Sequence, residues 1–210
     1  MKRRTVKPAK KPRQRAVALA TEVKRLAAAL EASRARIAEL EVLIDVDPLT
    51  ATLNRRGFER ELKRSLAYVK RYGAKAALVF LDLDDFKPVN DRHGHAAGDA
   101  LLKAIAAALV RHVRASDVVA RIGGDEFVVL LWNLRDADAV AKAVALETLV
   151  AKTPVRWNSA TLTVGASAGV ASLGPLDTPA QALARADAAM YARKADKNTT
   201  APAGSGIITR

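Results

Sequence analysis

The chain has 210 residues, a formal charge of +13, half its residues hydrophobic but only 4% aromatic, and no cysteine. No apolar run approaches the roughly 20 residues that span a bilayer, and the opening MKRRTVKPAKKPRQR lacks the apolar stretch of a secretory signal. Disulfide frameworks, thiolate metal sites and transmembrane helices are thereby excluded, and a soluble, cytoplasmic protein with one main globular unit is expected.

The basicity is concentrated at the start. Lys2, Arg3, Arg4, Lys7, Lys10, Lys11, Arg13 and Arg15 fall in the first fifteen positions with no acid among them, leaving +5 for the rest. Such a run can bind nucleic acid or an anionic membrane surface. No aromatic residue is interleaved for base stacking, so residues 1–15 read first as a solvated, disordered tail. Next, Val23, Leu26, Leu30, Ser33, Ile37, Leu40 and Ile44 alternate spacings of three and four. This heptad seam predicts a helix over 16–46 that pairs with a second copy as a parallel coiled coil; an amphipathic helix lying on its own domain is the alternative. DVDPLT stops it, because the residue before Pro48 is biased away from helical angles.

The domain over 47–198 then reads in order as a helix from Asn54 to Tyr72, a strand AALVFLDLD at 76–84, a polar loop, and a helix from Gly98 to Val113. A strand DVVAR, a Gly-Gly turn, a strand EFVVLLW, a helix from Asp136 to Ala151, one strand ATLTVGASAGVAS and a helix from Pro179 to Ala195 follow. This order predicts an α+β, ferredoxin-like fold: an antiparallel sheet flanked by helices. Residues 199–210 carry no periodicity and read as a disordered tail.

In that fold the first strand and the hairpin strands are neighbours, so Asp82 and Asp125 converge on one edge of the sheet. Paired hard oxygen donors with open positions suit Mg²⁺ or Mn²⁺ and, through it, substrate phosphates. The letters GGDE alone leave a second reading open, a hairpin tip in which Gly123 and Gly124 supply positive φ and the acids face water. His93 and His95 flank Gly94 without the further His or Cys that would complete a zinc set.

The surroundings of these acids, VFLDLDDFKPVNDRHGHAAGDALL (79–102) and RASDVVARIGGDEF (114–127), resemble the GGDEF-domain family of diguanylate cyclases, as do DPLTATLNRRGF before them and ADAAMYARKADKN after. The resemblance spans about residues 45–198. It implies a nucleotidyl-cyclase-like fold whose homodimer joins two GTP into cyclic di-GMP with release of pyrophosphate. It further implies that Asp82, the carbonyl of Leu83 and Asp125 bind Mg²⁺ or Mn²⁺, and that Glu126, with Asp125 and Lys87, serves catalysis. Asn90 and Asp99 would read the guanine edge, Phe86, His95 and Gly124 would line the substrate, and Lys87 and Lys194 would meet the triphosphate. Gly124 would leave room for the nucleotide. Asp99 has a plainer reading as the cap of the helix that follows it.

The family's inhibitory RxxD site for its product falls on Arg114 and Asp117, away from the metal edge. Two departures stand out: Ala51 and Thr52 replace the family's Gly-Leu pair, and YARKADKN has Arg193 for an Ala and lacks a Gly, leaving Lys197 as a substitute for a second phosphate-binding cation. The competing functions are a non-catalytic nucleotide receptor, against which the retained Asp82, Asp125 and Glu126 argue, and a nucleic-acid binder directed by the basic tail.

Overall fold

The computed structural model describes residues 12–200 and divides into two units at Ile44/Asp45. The first unit holds α1 (Pro12–Asp45) as far as Ile44, and this helix starts within the stretch expected as tail. The earlier tail residues and the final ten lie outside the described residues. In α1 the seam residues Val23, Leu26 and Leu30 are each more than half exposed; the side chains of Ile37, Leu40 and Ile44 lie outside those described.

The second unit contains α2 (Arg55–Tyr72), β1 (Ala76–Asp84), α3 (Phe86–His93), α4 (His95–His112), β2 (Val118–Arg121), β3 (Glu126–Trp132), α5 (Asp136–Ala151), β4 (Val155–Trp157), β5 (Ala160–Leu162), β6 (Gly165–Ser172) and α6 (Pro179–Thr200). The main sheet has the order β2-β3-β1-β6 with every pairing antiparallel, the expected ferredoxin-like arrangement. β1 lies inside it, and side-chain alternation with period two sorts its residues between the sheet's faces. Val79, Leu81 and Leu83 pack with Leu101, Ile105 and Leu109 of α4 and Leu146 of α5. Leu78 and Phe80 pack with Phe58 and Leu62 of α2 and Ala186 and Met190 of α6.

Three local features differ from the sequence reading. The polar loop after β1 contains α3, begun by Asp85 at φ 58° and anchored by buried Phe86; Pro88 sits in its first turn, where a missing N–H costs nothing. Eight residues are too few for a periodic signal. Gly94, at φ 84°, then breaks the chain between helices, so α4 starts at His95 and not Gly98. Asp99 is therefore inside the helix and does not cap it. Finally, the single predicted strand over 160–172 is two, and β5 pairs with β4 in a hairpin whose turn carries Asn158 at φ 53°. Three-residue strands leave almost no alternation to read.

The second unit opens on a buried acid. Asp45 is 2% exposed and its carboxylate is held by Arg60 and, at 3.6 Å, by Arg56, both from α2. Its carbonyl accepts from the Asn54 amide, and a β-carbon at Gly57 would stand 2.4 Å from that same oxygen. Only glycine lets the first turn of α2 come so close.

Candidate active site

The site is built where β1 and β3 reach the end of the sheet. Register places Asp82 opposite Glu126, and the Leu83 amide donates to the Asp125 carbonyl at 3.2 Å. Apolar residues fill the alternating positions 78 and 80 of β1; the next two on that face are Asp82 and Asp84. Both are half-buried.

α6 covers this face because Gly169 has no side chain. A β-carbon there would lie 2.0 Å from the Met190 amide nitrogen and 2.2 Å from the Ala186 carbonyl oxygen. Gly169 is paired with Phe80 and Ser167 with Asp82, so one further turn of α6 brings Lys194 onto Asp82, where its ammonium forms an ion pair. Burial works against the charge on Lys194. The Asp82 hydrogen bond and the fields of Asp82, Asp84 and Asp125 outweigh it and hold its pKa above the ordinary value.

Glu126 is shifted the other way. Burial comes first, and repulsion from Asp82, Asp125 and Asp187 adds to it, so its carboxyl titrates above the usual range despite Arg55, whose guanidinium lies 4.0 Å away. A carboxylate raised in this way is a better proton acceptor near neutrality. Its placement depends on the turn. A β-carbon on Gly123 would fall 2.1 Å from Glu126 Oε2, whereas one on Gly124 would meet nothing within 4 Å. Neither glycine has positive φ, which removes the hairpin-tip explanation for them. Gly123 makes room for the acid, and Gly124 leaves open space above the turn.

Residues that the sequence reading passed over hold this turn in place. Arg121 donates to the Gly124 carbonyl from Nε at 3.1 Å and from a terminal nitrogen at 2.8 Å, and its other nitrogen lies 3.3 Å from both carboxylate oxygens of Asp47. Burial of Asp47 is outweighed by hydrogen bonds from Thr50 and by Arg121, so its carboxyl stays below the ordinary range. The DPLT segment thus reaches the GGDE turn through one guanidinium. Its departure at Ala51 has a cost, because Ala51 sits at φ 57°, in the left-handed region that favours glycine. Thr52 is buried with its hydroxyl 2.9 Å from that of Thr50.

The other expected residues fall in two places. Asn90 lies against Gly98, where a β-carbon would be 2.0 Å from its Oδ1, and Phe86 closes the same corner; Lys87, His95 and Asp99 are exposed on α3 and α4. Lys197 is drawn inward: its ammonium donates to the Ala166 carbonyl at 2.5 Å, lies 3.0 Å from Glu147 and 3.9 Å from Asp84. Arg193 pairs with the same Glu147 at 3.2 Å. Glu147 also accepts from the Ala168 amide and is only 8% exposed, so the departures in the last motif converge on one carboxylate. Arg114 and Asp117 lie at the opposite end of the sheet, where Asp117 accepts from the Trp132 amide at 3.1 Å and the Arg114 amide at 2.9 Å.

Among the described residues, no three or more His, Cys, Asp or Glu side chains form a metal cage. The donors that are present, Asp82, Asp125 and the Leu83 carbonyl, suit a hard divalent cation that completes its shell with water and phosphate oxygen. Asp82 already attracts a cationic group in Lys194.

Comparison with known proteins identifies the family. The model of the family described as diguanylate cyclase, GGDEF domain, matches residues 44–200. The chain is 40% identical over 163 residues to the probable diguanylate cyclase DgcE of Escherichia coli, covering 77% of this chain and 15% of that protein. It is 43% identical over 154 residues to the diguanylate cyclase TpbB of Pseudomonas aeruginosa, covering 70% and 34%. It therefore spans about a third or less of the length of these relatives. The crystal structure of the coiled coil and GGDEF domain of DgcB from Caulobacter crescentus, in complex with c-di-GMP, superposes with a TM-score of 0.70 at 28% identity, covering 85% of this chain and 95% of that one. With the family model matching residues 44–200 and relatives 40% and 43% identical, the chain belongs to the GGDEF domain family of diguanylate cyclases.

Proposed function

We propose that the chain is a cytoplasmic diguanylate cyclase that condenses two GTP into cyclic di-GMP and releases two pyrophosphates. The observation that carries this reading is the convergence of Asp82, Asp125, Glu126 and Lys194 at one end of the sheet. Asp82, Asp125 and the Leu83 carbonyl would hold Mg²⁺ or Mn²⁺, which when bound neutralises the triphosphate. Lys194 exchanges Asp82 for phosphate oxygen when substrate arrives. Glu126 takes the proton of the ribose 3′-hydroxyl as that oxygen bonds to the α-phosphorus of the other GTP, whose bond to pyrophosphate breaks. Asn90 and Asp99 select guanine, with Asp99 accepting from N1–H and the amino group. Phe86, His95 and Gly124 border the nucleotide, and Lys87 adds positive charge at the triphosphate.

One domain supplies half of the reaction, so two must face each other as a homodimer. The half-exposed seam of α1 suits that pairing, and DgcB was crystallised with its own coiled coil. Arg114 and Asp117 form the product-inhibitory site. Their position at the other end of the sheet from Asp82 supports inhibition by coupling between sites and not by occupation of the catalytic one.

The test is incubation of the whole chain with GTP and Mg²⁺, with chromatographic separation of nucleotides. Cyclic di-GMP and pyrophosphate are expected. Bound but unaltered GTP would make the chain a receptor, and salt-dependent DNA binding lost on removal of residues 1–15, without turnover, would make it a nucleic-acid binder.

A further inference from the structure

β6 lies at the edge of the main sheet, beside β1. An edge strand turns a row of backbone donors and acceptors away from the ladder. Two such groups are met by side chains: the Ala168 amide donates to Glu147 Oε1 at 2.8 Å, and the Ala166 carbonyl accepts from the Lys197 ammonium at 2.5 Å. Glu147 comes from α5 and Lys197 from α6, helices that pack into the apolar clusters on opposite faces of the sheet. Their side chains meet around the edge strand, the ammonium 3.0 Å from Glu147 Oε1. Arg193, one helical turn before Lys197, closes on the other oxygen of the same carboxylate at 3.2 Å.

This stitch stands beside the catalytic end. Ala166 and Ala168 flank Ser167, the strand partner of Asp82. Arg193 and Lys197 are four residues apart and share a face of α6, whereas Lys194 is turned from Arg193 by about 100° and meets Asp82. The apolar seam of α6, Ala182, Ala186 and Met190, ends one turn before Lys194, and none of the described residues beyond Met190 is buried. Polar contacts therefore hold the last turns of α6 against the sheet. Lys194 cannot be the anchor, because its ammonium must leave Asp82 to reach a phosphate.

We propose that Glu147 is a positioning residue for the triphosphate: through Arg193 and Lys197 it keeps the end of α6 in place while Lys194 changes partner. Lys197 is then an anchor of the helix and not a phosphate ligand. The inference rests on the reading of the site as one for GTP and goes beyond it in the parts given to Glu147, Arg193 and Lys197.

The test is a double-mutant cycle on the whole chain, read as the Kd of αβ-methylene-GTP, an uncleavable triphosphate, with Mg²⁺ in equilibrium dialysis. Glu147→Gln should weaken binding about 10-fold in the parent and by less than about twofold in Lys194→Met, where the group it positions is gone. Lys197→Met, which cuts the same stitch from the solvent side, should show the same pattern. A loss of equal size in both backgrounds would make Glu147 a general support, or Lys197 a phosphate ligand in its own right, and overturns the assignment. Amide hydrogen exchange supplies a readout without nucleotide: residues 193–197 should exchange faster in Glu147→Gln while those of β1 do not change, and unaltered exchange over 193–197 would overturn the stitch. A parent that binds the analogue but makes no cyclic di-GMP from GTP would remove the cyclase reading and leave the cycle to decide on Glu147. A parent that binds no analogue would remove both.

Discussion

The two ends of the sheet are made by the same strands yet differ in kind. At one end β1 and β3 present Asp82, Asp125 and Glu126 beneath Lys194; at the other, six residues back along β1 and so about 20 Å away by strand rise, the same pair ends at Ala76 and Trp132 beside an aromatic cleft. The first end is crowded with like charge and held by exchangeable ion pairs. The second is fastened by amides donating to Asp117. A site that handles phosphates needs the former, because cations must be able to leave one oxygen for another.

The sharpest way to break this contrast is to remove a carboxylate. Asp82→Ala or Asp125→Ala should lower cyclic di-GMP formation by about a thousandfold or more while the thermal transition persists, because neither side chain belongs to the apolar clusters that pack the sheet. Turnover near that of the parent would show that the charged end is not the catalytic one. Gly123→Ala should cost about 10- to 100-fold in kcat, since the added carbon would stand 2.1 Å from Glu126 Oε2 and must displace that carboxylate. Gly124→Ala, which meets no protein atom within 4 Å, should instead act on the KM for GTP; equal kcat losses at both positions would show that the turn tolerates no side chain anywhere.

A subtler test is the pH dependence of kcat. If Glu126 takes the proton as proposed, it acts as the anion, and because its pKa is raised activity should be lost as pH falls through that raised value, at a pH above the ordinary glutamate value of about 4.3. Its charge weighs on stability in the opposite sense: relative to the unfolded chain, the stability Glu126 contributes is present below the unfolded pKa and declines as pH rises through the folded one. Glu126→Gln should remove the acid limb along with most of the rate, and an unchanged limb would assign the proton to another group. The smallest expected effect is at Ala51, where glycine would relieve the left-handed backbone and raise stability by roughly 0.5–1 kcal/mol in chemical denaturation. No gain there would mean that the DPLT turn carries no strain into the Asp47–Arg121 link.

The elements that were legible in the sequence are those with a long apolar run or a long helical stretch. β1 and β3 begin and end with their continuous apolar runs, and α5 spans the residues expected for it. α3 and the β4–β5 hairpin are too short to show a period, and α4 starts early because the break at Gly94 is a matter of one backbone angle. In the site, Asp82, Asp125 and Glu126 were visible as acids against apolar strands. The support from Arg121 and Asp47 was not, since 74 residues separate two side chains that meet only after folding. For Gly123 the alternative of a positive φ fails: the glycine makes room for a neighbour, and no unusual angle is involved.

Asp45 has a practical meaning for anyone who splices this domain. Its buried carboxylate is clasped by two arginines of α2, and its carbonyl sits over Gly57, so the last residue of the long helix belongs physically to the domain that follows. A graft whose domain part begins at Asp45 keeps the clasp, whereas one that begins at Val46 or later discards it and leaves the groove over Gly57 vacant. The junction for exchanging upstream helices therefore lies one residue before Asp45, between Ile44 and the acid.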